Sequence, residues 1–98
     1  MASNDPFSGA LNATLCNFLP FYTDNPFSER PKIKVTTIHP IIGLSHECVY
    51  RWLRDNKLSR IGAKKLIELS QTPENLRALK TMSRKPPTIQ DFAPFVFV

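Results

Sequence analysis

The sequence predicts a mostly α-helical domain of about five helices, and three observations lead to this fold class. Apolar residues recur at helical spacing in segments that begin at capping residues and end at prolines or glycine. Gly43 separates two such segments, as expected where a tight turn between helices needs a positive φ. A chain of 98 residues that is 42% hydrophobic can form one domain with a modest core. The apolar end of the chain adds a possible short C-terminal β-strand.

The N-terminal region, residues 1–31, is predicted to be a helix and a proline-rich connector that pack on the core. Asp5 and Pro6 suit the cap and the first position of a helix. The helix would run to about Leu19, with one apolar face formed by Phe7, Leu11, Leu15, Phe18 and Leu19. This face either covers the core or forms a dimer or partner surface. Residues 20–31 contain three prolines and predict an irregular, aromatic-anchored connector, after which strand competes with helix at 32–35.

The central region, residues 32–85, is organised around a short helix predicted from Ser45 to Arg54. Ser45 is a good N-cap, because its hydroxyl can accept from the backbone N–H groups of the next turn. Glu47 in the first turn suits the positive end of the helix dipole. A short helix that shows polar and cationic side chains after a glycine turn is typical of the recognition helix of a helix-turn-helix. The turn and the inward-facing positions of this unit are Gly43, Leu44, Val49, Trp52 and Leu53.

Three segments of this region, GLSHECVYRWLR, DNKLS and RIGAKKLIELS, resemble the Cro-like and YdaS-like regulators of phages and prophages. The pattern of that family is a glycine turn, a recognition helix ending near a tryptophan, a short basic loop and a further helix that packs back. The resemblance covers roughly residues 35–70. Two positions depart from the pattern: His39 stands where a small residue is usual, and Pro40 follows it. We therefore expect a short first helix, starting after Thr36 or Thr37 as its cap.

Two further helices are predicted after the recognition helix. Ser59 can cap a helix from Arg60 to about Ser70, and its buried residues would be Ala63, Leu66 and Ile67. Thr72-Pro73-Glu74 is a strong start signal for a helix ending by Arg84, with inward residues Leu76, Leu79 and Met82. We expect Trp52 to be the core anchor of the unit, packed on Ile42, Leu44 and Ile67.

The C-terminal tail, residues 86–98, is too apolar to be fully exposed. Its apolar residues are Phe92, Phe95, Val96, Phe97 and Val98. Their alternation predicts a strand, while Pro94 favours an edge or an extended packed segment. The tail would pack either on the surface of its own core or on a second subunit, and we take it as the candidate dimer contact.

The outward residues of the recognition helix are the candidate DNA-reading residues. Those expected to contact bases are Ser45, His46, Glu47, Tyr50 and Arg51. Arg51 can donate to guanine O6 and N7, and Glu47 can accept from cytosine N4 or simply favour the helix dipole. Tyr50 can reach a thymine methyl or a phosphate, or it can pack sideways. The residues expected to contact phosphates are Arg54, Lys57, Arg60 and Lys64.

The charge distribution agrees with DNA as the partner. The net charge is +5, and all thirteen Lys and Arg residues lie between Arg30 and Lys85. Only four of the eight acidic residues lie in the same stretch. A positive block that coincides with a predicted helix-turn-helix is the electrostatic signature of DNA binding.

Several other classes of protein are not expected. Gly9, Gly43 and Gly62 are isolated, so no phosphate-cradling loop is predicted. His46 and Cys48 are two apart on a helix and do not face each other, so we expect no catalytic pair. Cys16 and Cys48 are too few and too far apart in the sequence for a zinc site. We also expect no cofactor and no small-molecule ligand. The absence of a long apolar run and of a basic start argues against a membrane span or signal peptide. We expect a cytoplasmic protein.

The resemblance and the charge together imply a Cro-type repressor that binds a palindromic operator in double-stranded DNA as a homodimer. The resemblance also implies the cytoplasm of a bacterial host. The alternative from another class is a small phage-type protein that binds and inhibits a host protein through its apolar termini, with an incidental basic face.

Overall fold

The computed structural model describes residues 6–96, and within them six α-helices surround one core and a two-stranded antiparallel sheet. The helices are α1 (Ala10–Phe18), α2 (Val35–Ile42), α3 (His46–Asp55), α4 (Arg60–Ser70), α5 (Pro73–Thr81) and α6 (Ile89–Phe92). The strands are β1 (Thr23–Asp24) and β2 (Lys32–Ile33). Single 3-10 turns lie at Pro6–Ser8, Pro20–Tyr22 and Ala93–Phe95. The predicted mostly helical fold is confirmed.

The N-terminal helix is shorter than predicted and begins at Ala10 rather than at Pro6. Gly9 is its N-cap in an extended conformation, and Asn56 from the end of α3 approaches closely there. The Asn56 side chain accepts from the Leu11 N–H at 2.9 Å, so a residue from another helix caps α1. The predicted apolar face is nevertheless inward, with Leu11, Leu15 and Leu19 fully buried. Asp5, the predicted cap, lies outside the described residues.

The connector after α1 is short and tied to the core by Tyr22, the expected aromatic anchor, which is buried. Its two ends pair as β1 and β2, with Thr23 opposite Ile33 and Asp24 opposite Lys32. Residues 32–35, for which the sequence was compatible with strand or helix, contain parts of both. β2 ends at Ile33, and α2 begins at Val35.

Helix α2, which precedes the Gly43 turn, is short, as Pro40 implied, but the start predicted for it is wrong. It begins at Val35, and its N-cap is Lys34 without a side-chain hydrogen bond, rather than Thr36 or Thr37. Pro40 lies inside it and removes one donor to the Thr36 carbonyl. Thr36 and Pro40 are both exposed, so water can bond the carbonyl that loses its helical partner.

Helix α4 packs more closely on Trp52 of α3 than the sequence suggested. α4 begins at Arg60 with Ser59 as its cap, the Ser59 hydroxyl accepting from the Gly62 N–H at 3.0 Å, as predicted. Gly62 lies directly against the Trp52 indole, since a Cβ there would stand 2.6 Å from Trp52 Cζ2. Trp52 is buried at 6% exposure, so it is the core anchor that we predicted. Its contact with Gly62 was not predicted.

The burial predicted for α5 is partly wrong. Leu79 is buried, but Leu76 is 38% exposed and Met82 is half-buried. The inward position one turn before Leu79 is taken by Asn75, which is fully buried. The Asn75 amide donates to the Phe18 and Ser70 carbonyls at 3.0 and 2.8 Å and accepts from the Phe21 N–H at 3.2 Å. These hydrogen bonds turn Leu76 outward. On α4, Ala63 and Leu66 are buried as predicted, and Ile67 is half-buried.

The C-terminal tail packs on the core of its own chain. Phe92 in α6 is fully buried, and its ring meets Phe18 edge-on at 6.0 Å between centroids. The described part of the tail forms α6, a 3-10 turn and a single parallel bridge between Leu58 and Val96, and the strand predicted for the end of the chain lies partly outside the described residues. The Leu58 N–H donates to the Phe95 carbonyl at 2.6 Å. Phe92 is therefore part of the core and not a dimer contact; Phe97 and Val98 lie outside the described residues.

The close approach of Trp52 and Gly62 predicts that Gly62→Ala destabilises the fold. Helix propensity alone favours alanine by about 1 kcal/mol. The added methyl would meet the rigid indole, and overpacking of this kind costs about 1–3 kcal/mol. Urea unfolding should therefore show a net loss of stability for Gly62→Ala and a loss of about 3–5 kcal/mol for Trp52→Ala.

A double-mutant cycle isolates that contact. Trp52→Phe removes the indole atoms that face Gly62, so in this background Gly62→Ala should be neutral or stabilising. Lys64→Ala, on the exposed side of α4, is the matched control and should change stability by less than about 0.5 kcal/mol. A stabilising effect of Gly62→Ala in the wild-type background would contradict the contact.

The Cys16 thiol predicts a loss of stability in alkaline solution. Burial raises the pKa of Cys16 from its ordinary value of 9.0 to about 11, and a hydrogen bond with Thr23 lowers it slightly. The folded chain therefore holds this proton more tightly than the unfolded chain. Its contribution is complete below pH 9 and is lost as the pH rises to 11, on the order of 2 kcal/mol. Urea unfolding of wild type and Cys16→Ala across this range should show the steeper decline in wild type only.

Candidate nucleic-acid interface

The turn between α2 and α3 is held by Gly43 and His39. Gly43 has a φ of +75°, in the left-handed region, and its N–H donates to the His39 carbonyl, so the predicted glycine turn is confirmed. The Leu44 N–H donates to the same carbonyl at 3.1 Å. The His39 Nδ1 lies 3.1 Å from the Leu44 carbonyl oxygen and donates to it as Nδ1–H. His39, which we had noted only as a departure from the family pattern, therefore braces the turn.

The inner face of α3 is the one that the sequence predicted. Ser45 caps the helix, and its hydroxyl accepts from the Cys48 N–H at 3.2 Å. Val49, Trp52 and Leu53 are buried in the core, and Leu44 packs against it. Because these residues occupy one side of the helix, the opposite side is turned away from the core. We call this opposite side the outer face of α3; it comprises His46, Glu47, Tyr50, Arg51 and Arg54.

The outer face of α3 gathers most of the predicted contact residues. Its five side chains line one open depression together with Pro6. His46, Glu47, Arg51 and Arg54 are exposed, whereas Tyr50 is half-buried. Ser45 is exposed at the start of the helix, but its hydroxyl already accepts a backbone hydrogen bond. The face thus offers two guanidinium groups, a carboxylate and an imidazole within one helix length.

Tyr50 packs sideways between two rings, which is one of the two alternatives that its sequence position left open. It meets the Phe7 ring edge-on at 6.0 Å and the His46 ring edge-on at 6.0 Å. The His46 ring lies 5.7 Å from that of His39. These ring contacts hold Tyr50 and His46 in place along one side of the outer face of α3. No sequence pattern indicated that Phe7 would touch α3, because periodicity identified Phe7 only as part of an apolar stripe.

The predicted phosphate-contacting residues are divided between two places. Arg54 belongs to the outer face of α3, and the exposed Lys57 follows Asn56, which ends α3 in the left-handed conformation. Arg60 and Lys64 are exposed on α4, where they border a groove against α6. That groove is otherwise lined by Ile89, Gln90, Ala93 and Val96. The structure therefore does not bring Arg60 and Lys64 into the depression beside α3.

Other kinds of site were examined over the same part of the chain. Among residues 6–96 no group of three or more His, Cys, Asp or Glu side chains is placed to hold a metal ion. None of the helices described is both long and apolar enough to cross a membrane. Every buried side-chain nitrogen or oxygen in residues 6–96 has a hydrogen-bond partner. The outer face of α3, with its exposed guanidinium, carboxylate and imidazole groups, is therefore the candidate site among the described residues.

Comparison with known proteins adds no information to this geometry. Models of protein families, curated proteins and solved structures were compared with the chain, and none of them matches it. The function is therefore argued from the chain's own residues.

The left-handed conformation of Gly43 predicts that replacing this residue lowers the stability of the fold through backbone strain alone. A Cβ at this position would have no atom within 4 Å, so Gly43→Ala creates no clash. A left-handed residue other than glycine costs about 1–2 kcal/mol, and asparagine tolerates the conformation better. Urea unfolding should show that loss for Gly43→Ala and a smaller one for Gly43→Asn. Equal losses for both variants would mean that the strain is not conformational.

Proposed function

We propose that this chain is a sequence-specific regulator of transcription that binds double-stranded DNA by placing α3 in the major groove. One observation carries the proposal: α3 follows a left-handed glycine turn, buries one side and exposes a charged outer face. An α-helix with its side chains is about 10–12 Å in diameter, and the major groove is about 12 Å wide, so an exposed helix such as α3 fits the groove.

The residues of the outer face divide into reading and positioning roles. His46, Glu47 and Arg51 occupy the N-terminal and middle turns, which reach base edges in docked helices of this type. Arg51 can donate two hydrogen bonds to guanine O6 and N7. Glu47 would be repelled by phosphates unless it accepts from cytosine N4, which favours selective over non-specific binding. Arg54 and Lys57, at the end of the helix, suit phosphate contacts.

The overall charge supports the same partner. The chain carries a net charge of +5, and its cations are concentrated between residues 30 and 85, around α3. Neutralising several phosphates releases counterions, so affinity should fall by orders of magnitude over a few-fold rise in salt concentration.

We further propose repression by a homodimer in the manner of Cro-type proteins. A single recognition helix covers only a few base pairs, and a two-fold dimer places two helices in successive major grooves of a palindrome. The dimer contact is not Phe92, which is buried in the chain's own core. Deleting residues 92–98 would therefore remove part of the core and would not test dimerisation alone.

The alternative, inhibition of a host protein through apolar termini, has less support from the geometry. Its interface would need the apolar faces at both ends of the chain. Leu11 and Leu15 in α1 and Phe92 in α6 are fully buried instead. The outer face of α3, by contrast, exposes charged side chains.

Selection of bound sequences from random duplex DNA tests the proposal. The variant Arg51→Ala then tests whether Arg51 contacts bases. We expect a preferred, palindromic site for wild type. Arg51→Ala should weaken binding to that site by about 1–3 kcal/mol and leave binding to random DNA nearly unchanged, because Arg51 is assigned to bases.

Arg77→Ala is the matched control, because Arg77 is exposed on α5, which packs on α4 and on the turn Pro20–Tyr22. It should leave the selected site and its affinity unchanged. An equal loss for Arg51→Ala on selected and random DNA would assign Arg51 to phosphate. A wild-type chain that enriches no sequence would refute sequence-specific binding.

A further inference from the structure

A second element with exposed cationic side chains lies beside the N-terminal turn that contacts α3, in a part of the chain that the sequence treated as a connector. We call residues 23–33 the hairpin arm, since they comprise β1, β2 and the exposed loop between them. Lys32 in β2 and Arg30 in the loop are both exposed. Neither residue was predicted to contact DNA.

Phe7 connects the hairpin arm to α3. The Lys32 Nζ lies 5.6 Å from the centroid of the Phe7 ring, a cation–π contact. Another neighbour of that ring is Tyr50, at 6.0 Å between centroids. Because both contacts share the Phe7 ring, the Lys32 ammonium lies within about 12 Å of the Tyr50 ring, comparable to the width of the major groove.

Asn12 fixes this arrangement from beneath. Its buried side-chain amide donates to the Phe7 carbonyl at 2.9 Å and to the Pro31 carbonyl at 3.0 Å. Its oxygen accepts from the Ile33 N–H at 3.1 Å. One buried side chain therefore holds both the turn that carries Phe7 and the strand that carries Lys32. The hairpin arm is thus placed relative to α1 and the N-terminal turn by specific hydrogen bonds, and that turn contacts α3 through Phe7 and Tyr50.

We propose that the hairpin arm is a second DNA contact, in which Lys32 binds a backbone phosphate at the edge of the groove that α3 enters. This inference rests on the proposed function and adds an element and a ligand group to it. A phosphate suits the site better than a base, because a lysine ammonium is a point charge without the planar fork that reads guanine. Arg30 extends the same positive edge.

Two acidic residues oppose this charge and provide a test of opposite sign. Asp24 is the cross-strand partner of Lys32, and Glu29 precedes Arg30 in the loop. A carboxylate beside a phosphate-binding lysine lowers its attraction for the anion. Neutralising Asp24 should therefore strengthen DNA binding, whereas neutralising Lys32 should weaken it.

The experiment measures affinity against salt concentration for the full chain on the selected duplex and on a random duplex. Lys32→Gln should weaken binding severalfold on both duplexes and reduce the slope of log affinity against log salt by about 0.9, the loss of one phosphate contact. Asp24→Asn should raise affinity on both duplexes. The ratio of the two affinities, which reports base reading, should stay constant in both variants.

Lys80→Gln is the matched control, an exposed lysine in the last turn of α5. It changes the net charge by the same amount and should leave the salt slope unchanged. If Lys32→Gln behaves like Lys80→Gln while Arg51→Ala loses the selected site, the hairpin arm is not a contact and the proposed function stands. If the wild-type chain binds no duplex DNA, the function and this inference both fall.

Discussion

The contact between the Trp52 indole and the backbone of Gly62 fixes how α3 lies against α4. No side chain separates the indole from the Gly62 backbone, and Val49 and Leu53 of α3 enter the same core. Side-chain directions on a helix are fixed relative to one another, so the side that packs inward sets where the opposite side points. The direction in which Glu47 and Arg51 point is therefore set by packing on the opposite side of α3. In this sense the chemistry of the outer face depends on a glycine in a neighbouring helix.

Three asparagine side chains organise the irregular parts of this small domain. Asn12 joins the N-terminal turn to β2, Asn56 caps α1 from the end of α3, and Asn75 joins α5 to the turn after α1. Each supplies hydrogen bonds to backbone groups that regular secondary structure does not satisfy. A chain of 98 residues has a limited apolar core, so hydrogen bonds from such side chains help to hold its connectors in place.

The outer face of α3 and the elements beside it form one continuous surface. Pro6 lines the depression in which the charged side chains of α3 lie, and Phe7 supports Tyr50 at its edge. The N-terminal turn thus shapes the approach of α3 to any partner. The ring of His46 is in turn placed between those of Tyr50 and His39, which braces the glycine turn. Side chains on such supported positions have restricted orientations.

The sequence by itself determined the features that depend on neighbouring residues. The caps at Ser45 and Ser59, the left-handed turn at Gly43 and the inward side of α3 all follow from local hydrogen bonding and helical period. Only the tertiary structure decided the burial of Asn75 in place of Leu76, the packing of Phe92 in the core and the position of Phe7 beside Tyr50. These features depend on groups far apart in the chain, such as Phe18 and Phe92. A periodic pattern identifies an apolar side but not the partner that covers it.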